Sequence, residues 1–273
     1  MAFHIKRRWG LTYIKMPHLT RTMSPRFFSL SSKPAVQRIE RQGIVVELMR
    51  KLPRHDRFER SLEPDCPSTQ GFVHANLAVA HMYTFRSAPG EGADVMLQRA
   101  HPETRRIMGK AQRECEVERS LDLDRFVRLH KQTYGESSLV DYDVLQRLFE
   151  AATARGRTEI LFVRLNGEAD TAAMILLSDS STYAWLVARN SAQNYRGASS
   201  LLVLEAMRSA EKAGRILDLD GYVRPAVGAF MMKFGLPPIV RPYVNGSSRR
   251  WQFLRAATTL WHPNRTDRHF RVP

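Results

Sequence analysis

The stretch "ARNSAQNYRGASSLLVLEAM", residues 188–207, joins an apolar run typical of a strand to the start of an amphipathic helix. One face of that helix is apolar, with Leu202, Val203, Ala206, Met207 and Ala210, and the opposite face carries charged residues. Such a helix packs on a sheet with its N-terminus at the sheet's carboxyl edge. The pattern predicts a helix over residues 199–213 that ends at Gly214.

The loop before this helix has features of an anion-binding site. A helix N-terminus presents unpaired backbone N–H groups and the positive end of the helix dipole, which favour a phosphate or pyrophosphate. Gly197 and Ala198 allow a ligand to approach the backbone closely, and Arg196 can add a charge-assisted contact. An ordinary strand-to-helix turn capped by Ser199 explains the same residues, so both interpretations stay open at this point.

The sequence around the loop predicts a βαβ unit. Three strands are expected over residues 160–165, 172–177 and 183–188, because "NGEAD" and "SDSS" between them are turn sequences. After the helix, "RILDLDG" (215–221) reads as a further strand. The helix therefore links two strands that we expect to lie side by side.

The preceding part of the chain alternates strand and helix patterns. Helices are predicted within 24–52, over 92–118 with a restart at Pro102, over 121–135, and over 141–156 with Asp141 as cap. Residues 72–85 read as one extended segment. At the N-terminus the sequence predicts two short strands joined by a turn at Trp9–Gly10. The alternative interpretation is a mitochondrial transit peptide, which residues 1–39 resemble in composition because they contain no acidic residue.

Composition limits the class of protein. The 273 residues are 43% hydrophobic without an apolar run of the roughly 20 residues that a membrane helix needs, which predicts a soluble, cytoplasmic globular protein. Cys66 and Cys115 are far apart, and neither a disulfide framework nor a metal site is expected. The net charge of +15 suggests a polyanionic partner: nucleic acid, a phosphate-bearing cofactor or an acidic membrane surface. Scattered arginines that only reflect genome composition are the competing interpretation.

The order of strands, loop, helix and strand resembles the GNAT acyltransferases, whose loop pattern is Gln/Arg-x-x-Gly-x-Gly/Ala. Gln193 and Ala198 fit its first and last positions, while Arg196 stands where the pattern has its first glycine. A more particular resemblance, carried by "TRRIMGKAQRECEVE" and "ILDLDGYVRPAVGAFMMKFGLPPIVRPY", is to the bacterial FemAB-like branch. That branch has a Phe-Asp-Phe-Glu-Gly-Ser strand end and a short helix closing with Phe-Lys-x-x-Phe-Gly. The matching residues here are Asp218, Asp220, Gly221, Phe230, Lys233, Phe234 and Gly235.

This resemblance implies an α/β (α+β) fold of tandem GNAT-like lobes, each a mixed, mostly antiparallel sheet flanked by helices. We expect residues 1–115 to form a partial first lobe and residues 116–273 a second lobe that carries the acyl-donor loop. The chain opens on sequence that looks like the interior of the first lobe. The expectation is that this lobe is incomplete or that Met1 is an internal start.

Candidate catalytic residues follow from the chemistry of acyl transfer, which needs a deprotonated amine, a polarised thioester and a proton for the departing thiolate. Alternation in "RILDLDG" places Asp218 and Asp220 on one face, where they can attract an amine or act as base; capping or pairing with Arg215 and Arg224 is the alternative. Candidate acids are tyrosines: Tyr183, Tyr222 and Tyr243. Lys233 either contacts a phosphate or flanks a helix end.

The sequence thus predicts an N-acyltransferase of the FemAB-like GNAT type. It would move an acyl group from acyl-CoA, such as acetyl-CoA, or from an aminoacyl-tRNA to an amine, in cell-envelope or polysaccharide metabolism, without a metal. FemAB enzymes proper use aminoacyl-tRNA on peptidoglycan precursors, and a basic surface would suit a tRNA donor. The alternative is a truncated, non-catalytic paralogue or a basic nucleic-acid-binding protein, which predicts steeply salt-dependent binding.

Overall fold

The structure, a computed structural model, describes residues 3–28, 30–67, 69–190, 195, 197–222 and 224–261. The chain forms two compact units, one of Met1–Tyr83 with Val240–Pro273 and the other of Thr84–Ile239. In chain order the strands are β1 (His4–Arg8), β2 (Leu11–Lys15), β3 (Arg57–Ser61), β4 (Ala78–Phe85), β5 (Cys115–Ser120), β6 (Thr158–Leu165), β7 (Glu168–Leu177), β8 (Ser181–Arg189), β9 (Ile216–Asp218) and β10 (Pro238–Ser247). The helices are α1 (Pro34–Arg50), α2 (Thr69–His74), α3 (Ala93–Arg99), α4 (Pro102–Glu114), α5 (Leu123–Tyr134), α6 (Tyr142–Thr153), α7 (Ala198–Lys212), α8 (Pro225–Met232) and α9 (Arg249–Trp261).

The first unit contains a sheet with the strand order β1-β2-β3-β10-β4. Strands β1 and β2 are the predicted N-terminal hairpin, joined by Trp9 and Gly10 with φ of 51° and 69°. Positive φ at both positions is the geometry of a type I′ turn, whose twist matches that of the paired strands. Behind the sheet lies a core that α1 and α2 help to close, built from Ile14, Val45, Phe58, Leu62, Phe72 and Val244.

The second unit contains a sheet with the order β5-β6-β7-β8-β9. Strands β5 to β8 pair antiparallel, whereas β9 pairs parallel to β8 after the α7 crossover. The predicted strand meander and the βαβ unit are therefore confirmed. The apolar face of α7 joins the core of this unit, in which Leu201, Leu204, Met207 and Ala210 are buried. The predicted α/β (α+β) class with mixed, mostly antiparallel sheets flanked by helices is confirmed as well.

Local predictions succeeded where sequence signals agreed with long-range contacts. Asp141 caps α6, since its carboxylate accepts hydrogen bonds from the backbone N–H groups of Asp143 and Val144. Two assignments were wrong. Residues 72–85 are not one strand, because Thr69–His74 is helical and Gly71 packs closely on Val45 of α1. The helix predicted to 118 ends at Glu114, because Cys115–Ser120 pairs with β6 instead.

Strand β10 comes from the C-terminal part of the chain but lies between β3 and β4, with Tyr243 opposite Ser61. The compact units therefore divide the chain at other positions than the predicted boundary between residues 115 and 116. Residues 84–115 belong to the second unit, and the segment after residue 239 belongs to the first. As a lobe boundary in the family sense, the division at 115 stays a prediction. Within the described residues, the structure contains no helix with the length and apolar composition needed to cross a bilayer.

Candidate functional site

The N-terminus of α7 is built by close packing against α4. Gly197 stands at the N-cap position, and Ser199, the predicted cap, lies inside the first turn. A Cβ on Gly197 would lie 2.8 Å from the Cβ of Ala111 and 3.1 Å from the carbonyl oxygen of Ile107. Ala198 is fully buried at the same contact. The small residues of this loop are therefore required by helix packing, whatever ligand the helix end binds.

Two of the predicted cofactor-binding residues, Gln193 and Arg196, lie outside the described residues. Tyr195, which the sequence did not single out, is described in the same loop. Its hydroxyl donates a 2.5 Å hydrogen bond to Glu114 Oε2 at the end of α4. Burial and this carboxylate raise the pKa of Tyr195 to about 12. The neutral tyrosine thus fixes the loop to α4 just before α7 begins.

Strands β8 and β9 are adjacent only over a short length. Their pairing covers Ser181 to Tyr183 on β8 and ends at Asp218, whereas β8 continues to Arg189. At the point of separation β8 has a bulge: Ala184 pairs with Ile175 and Leu186 with Met174, so Trp185 has no partner on β7. Bulges end regular pairing and redirect side chains, and they are frequent beside active sites. Beyond Tyr183, no described residue pairs with β8 as a strand on the β9 side.

Helix α5 supplies side-chain partners to the end of β8. Thr133 Oγ1 lies 2.8 Å from the backbone nitrogen of Arg189, from which it accepts, and 2.7 Å from the carbonyl oxygen of the same residue. The hydroxyl of Tyr134 donates to the carbonyl oxygen of Val187 at 3.2 Å. These hydroxyls hold the last residues of β8 beside α5, away from β9. Between them and the end of β9 lies the bulge at Trp185.

Asp218, a predicted catalytic residue, is buried and held by several donors. Arg86 Nε lies 2.6 Å from its Oδ2, and the hydroxyl of Thr84 lies 2.5 Å from its Oδ1. The backbone N–H of Asp220 also donates to Oδ1 at 2.8 Å. Both carboxylate oxygens are thus engaged, and only 2% of the residue is exposed. This arrangement stabilises the charged form and fixes the strand end, which suits a positioning residue better than a base.

Three of the other predicted catalytic residues lie around this strand end, whereas the candidate acid Tyr243 lies on β10 in the first unit. Asp220 does not share a strand face with Asp218 as predicted, because β9 ends at Asp218 and Asp220 has a φ of 64°. Tyr183 is the register partner of Asp218 on β8. Tyr222 is half-buried, with its ring 6.0 Å from that of Phe85 and against Gly228 of α8. The topology therefore brings Tyr183, Asp218, Asp220 and Tyr222 to one end of the β8–β9 pair.

Two further expectations can be placed in the structure. Lys233 is exposed at the C-terminal end of α8, where its backbone carbonyl accepts from the N–H of His101. A cation is favourable at that helix end without any ligand. Among the residues that are described, no group of three or more His, Cys, Asp or Glu side chains is arranged to hold a metal ion.

One buried histidine lies next to the α5 contact. His130 is 3% exposed, and its Nδ1 is 3.0 Å from the hydroxyl of Tyr142, which in turn donates to Ser138. Burial lowers its pKa. Its ring centroid lies 4.6 Å from that of Tyr134, one of the residues that hold β8. His130 thus packs beneath the segment between α5 and α6.

Comparison with known proteins identifies the segment that carries this geometry. Residues 97–222 match the family model of the acetyltransferase (GNAT) domain. This part of the chain is therefore similar to a GNAT domain. The matched residues include β8, α7, β9 and the predicted catalytic residues Tyr183, Asp218, Asp220 and Tyr222. No curated protein sequence matches the chain.

Solved structures show the same fold over most of the chain. FemX superposes with a TM-score of 0.66 at 13% identity, covering 92% of this chain and 85% of FemX. The C-terminal domain of a putative lysylphosphatidylglycerol synthetase from Agrobacterium fabrum gives 0.59 at 11% identity, with 94% and 85% covered. L-PGS from Bacillus licheniformis gives 0.59 at 9% identity, with 92% and 83% covered. The fold is therefore FemAB-like, as the sequence resemblance implied.

Proposed function

We propose that this protein transfers an acyl group from a thioester or ester donor to an amine. The observation that carries the proposal is the GNAT match over residues 97–222, which spans the separated strands β8 and β9 and the start of α7. The reaction forms a bond between the amine nitrogen and the acyl carbon and breaks the bond to the donor's sulfur or oxygen. The amine gives up a proton, and the leaving group takes one.

An acyl-CoA fits this end of the second unit by its chemistry. Its diphosphate would lie at the N-terminus of α7, where backbone N–H groups and the helix dipole favour negative charge. Its pantetheine arm carries amide groups, which can hydrogen-bond to a strand edge in the manner of an added strand. The edge of β8 at the Trp185 bulge offers such backbone groups beside the end of β9.

The residues around the strand end then take different roles. Asp220 would attract the cationic amine or accept its proton, because it lies beyond the strand and is half-exposed. Tyr183 and Tyr222 are the candidates for protonating the leaving group. Asp218 would act indirectly, since its ion pair with Arg86 fixes the backbone from which Asp220 and Tyr222 follow.

An aminoacyl-tRNA is the second candidate donor. The net charge of +15 favours a polyanionic substrate, and the fold is that of FemX. A cell-envelope or polysaccharide amine as acceptor belongs to the same hypothesis. The non-catalytic alternative, a GNAT fold that only binds nucleic acid, differs from both because it predicts no transfer.

Thermal unfolding of the purified chain with acetyl-CoA, CoA or bulk tRNA tests the proposal. A donor at about 100 times its Kd stabilises the folded state by about 2.7 kcal/mol, which corresponds to a rise of about 5–10 °C in Tm for a unit of this size. Acyl transfer is then followed by thiol release from acetyl-CoA with a panel of amines. Stabilisation without amine-dependent thiol release would favour the non-catalytic alternative. Stabilisation by tRNA alone would favour aminoacyl-tRNA, the second candidate, as the donor.

Ser199→Glu is the variant that locates the donor. A carboxylate in the first turn of α7 is favourable for the helix itself but repels a phosphate at its end. We expect an unchanged or higher Tm without ligand and loss of the acetyl-CoA shift. Ala151→Glu, on the exposed side of α6, adds the same charge elsewhere in the unit and should leave the shift intact. Equal shifts in both variants would place the donor elsewhere.

A further inference from the structure

The first unit has a basic and aromatic surface that the proposed transfer reaction does not use. All five residues of β1 are exposed, and β1 is an edge strand. The surface, called the basic–aromatic patch below, consists of Lys6, Arg8, Trp9, Arg250, Phe253 and Leu254; Lys6 and Arg8 share one face of β1. Trp9 is 79% exposed at the tip of the hairpin, and the Arg8 guanidinium lies 4.1 Å from the centre of its ring.

The backbone at Trp9 is unfavourable for this residue type. Trp9 has a φ of 51°, a conformation that asparagine or glycine adopts readily and a bulky side chain rarely does. In a type I′ turn the favoured sequence is Asn-Gly, and here Trp-Gly occupies the turn. A large aromatic side chain that lies in solvent and strains its own turn gains nothing for folding. Such strain points to a role outside the fold.

Helix α9 extends the patch beside the hairpin. Arg250 Nη2 lies 3.3 Å from the position that a Cβ on Gly10 would occupy, so the first turn of α9 reaches the hairpin turn. Phe253 and Leu254 follow Arg250 by three and four residues and share its helix face. They are 74% and 39% exposed. The helix face with Arg250, Phe253 and Leu254 thus lies beside the hairpin turn that carries Arg8 and Trp9.

The positive charge of the patch is not neutralised locally. The hairpin contains no acidic residue. The nearby carboxylate, Asp56, accepts from the backbone N–H of Thr12 and the hydroxyl of Ser248. The Thr12 hydrogen bond, with smaller contributions from Ser248, Arg250 and Arg54, lowers its pKa. Glu59 of β3 pairs with Lys15 of the hairpin at 3.5 Å, so among the described residues these two carboxylates lie beside a larger number of exposed cations.

We propose that the basic–aromatic patch docks on an anionic lipid bilayer. Cations attract anionic headgroups, while tryptophan and aliphatic side chains enter the boundary between headgroups and acyl chains. Nucleic acid would use the cations and the aromatic rings, but Leu254 offers it neither stacking nor a hydrogen bond. The mixture of cations with both aromatic and aliphatic groups therefore favours lipid.

Co-sedimentation of the full chain with vesicles tests this. We expect binding to mixed phosphatidylcholine and phosphatidylglycerol vesicles and little binding to phosphatidylcholine alone. Trp9→Asn creates the favoured Asn-Gly turn, so it should keep or raise the Tm while weakening vesicle binding about tenfold or more. The double variant Lys6→Glu, Arg8→Glu should weaken binding by at least about 25-fold, from about fivefold for each cation removed.

Arg147→Glu, Arg155→Glu is the matched control, since both arginines are exposed on or beside α6 in the second unit. It makes the same change in net charge and should leave most of the binding. Equal losses in the two charge variants would mean that net charge alone attracts the protein, and the patch would be rejected. Full vesicle binding by Trp9→Asn would also overturn the proposal. A tRNA competition gives the third test. If bulk tRNA binds tightly, competes with vesicles and binds the patch variants more weakly, the patch is a nucleic-acid surface and the proposal is rejected.

Discussion

Replacing Asp218 with asparagine separates a positioning role from a catalytic one. Asparagine has almost the same shape and keeps an oxygen that can accept from Thr84 and from the backbone N–H of Asp220. Its amide group would face Arg86 Nε, which now donates to Oδ2 at 2.6 Å. Two donors would then oppose each other, and the guanidinium would lose the negative charge of Asp218.

The expected cost follows from the burial of the pair. The side chains of Arg86 and Asp218 are 14% and 3% exposed, so water compensates little for the lost contact. A hydrogen bond to a charged group contributes about 1.5–3 kcal/mol, and breaking a buried ion pair from one side costs about 3–5 kcal/mol. Because Arg86 keeps some access to water, we expect a loss of about 3 kcal/mol. For the second unit this corresponds to a fall of about 6–12 °C in Tm.

The assay combines urea unfolding with acyl transfer measured well below the Tm. Asp218→Asn should lose stability but keep its rate per folded molecule within about tenfold, since a base would cost about 100-fold or more. Arg86→Met should lose a similar amount, and the double variant should lose clearly less than the sum, because the two changes remove one interaction. An unchanged Tm together with loss of transfer would refute the positioning role and restore Asp218 as the base.

Three further changes test other parts of the fold. Gly197→Ala should destabilise the protein by about 1–3 kcal/mol through its contact with α4, and adding Ala111→Gly should recover part of that loss in urea unfolding. Asp141→Ala should cost about 1 kcal/mol, measured in the same way, because α6 loses its cap. His130 has a lowered pKa, so the unfolded chain takes up a proton below about pH 6.5 that the folded chain does not. Stability should therefore fall as the pH drops below 6.5, and the fall measured between pH 7.5 and 5.5 should be smaller in His130→Phe.

The second sheet could be predicted from sequence because its signals are local. Turn sequences separate β6, β7 and β8. The apolar face of α7 predicts a helix that packs on a sheet, and Asp141 is a recognisable N-cap residue at the start of α6. The N-terminal hairpin was predicted for the same reason. In these segments the propensity of the residues and the tertiary contacts favour the same structure.

Features that depend on distant pairing could not be predicted. The sequence of β10 gives no sign that it lies between β3 and β4, because its partner Ser61 is far away in the chain. Arg86 was not connected with Asp218, which lies 132 residues later. The end of β9 at Asp218 was missed because alternation continues in "LDLD", while the positive φ of Asp220 depends on the tertiary structure.

The loop before α7 shows how one sequence feature can have two physical causes. A glycine and an alanine at a helix start suggested a backbone exposed for a ligand, yet the structure fills the space beside Gly197 with Ile107 and Ala111. The small residues therefore give no support for a donor beyond what any closely packed helix pair would give. The support comes instead from the early end of the β8–β9 pairing and from the bulge at Trp185. The sequence of the loop does not predict either feature. A variant of Gly197 cannot test the donor site, because it would disturb the packing against α4 first.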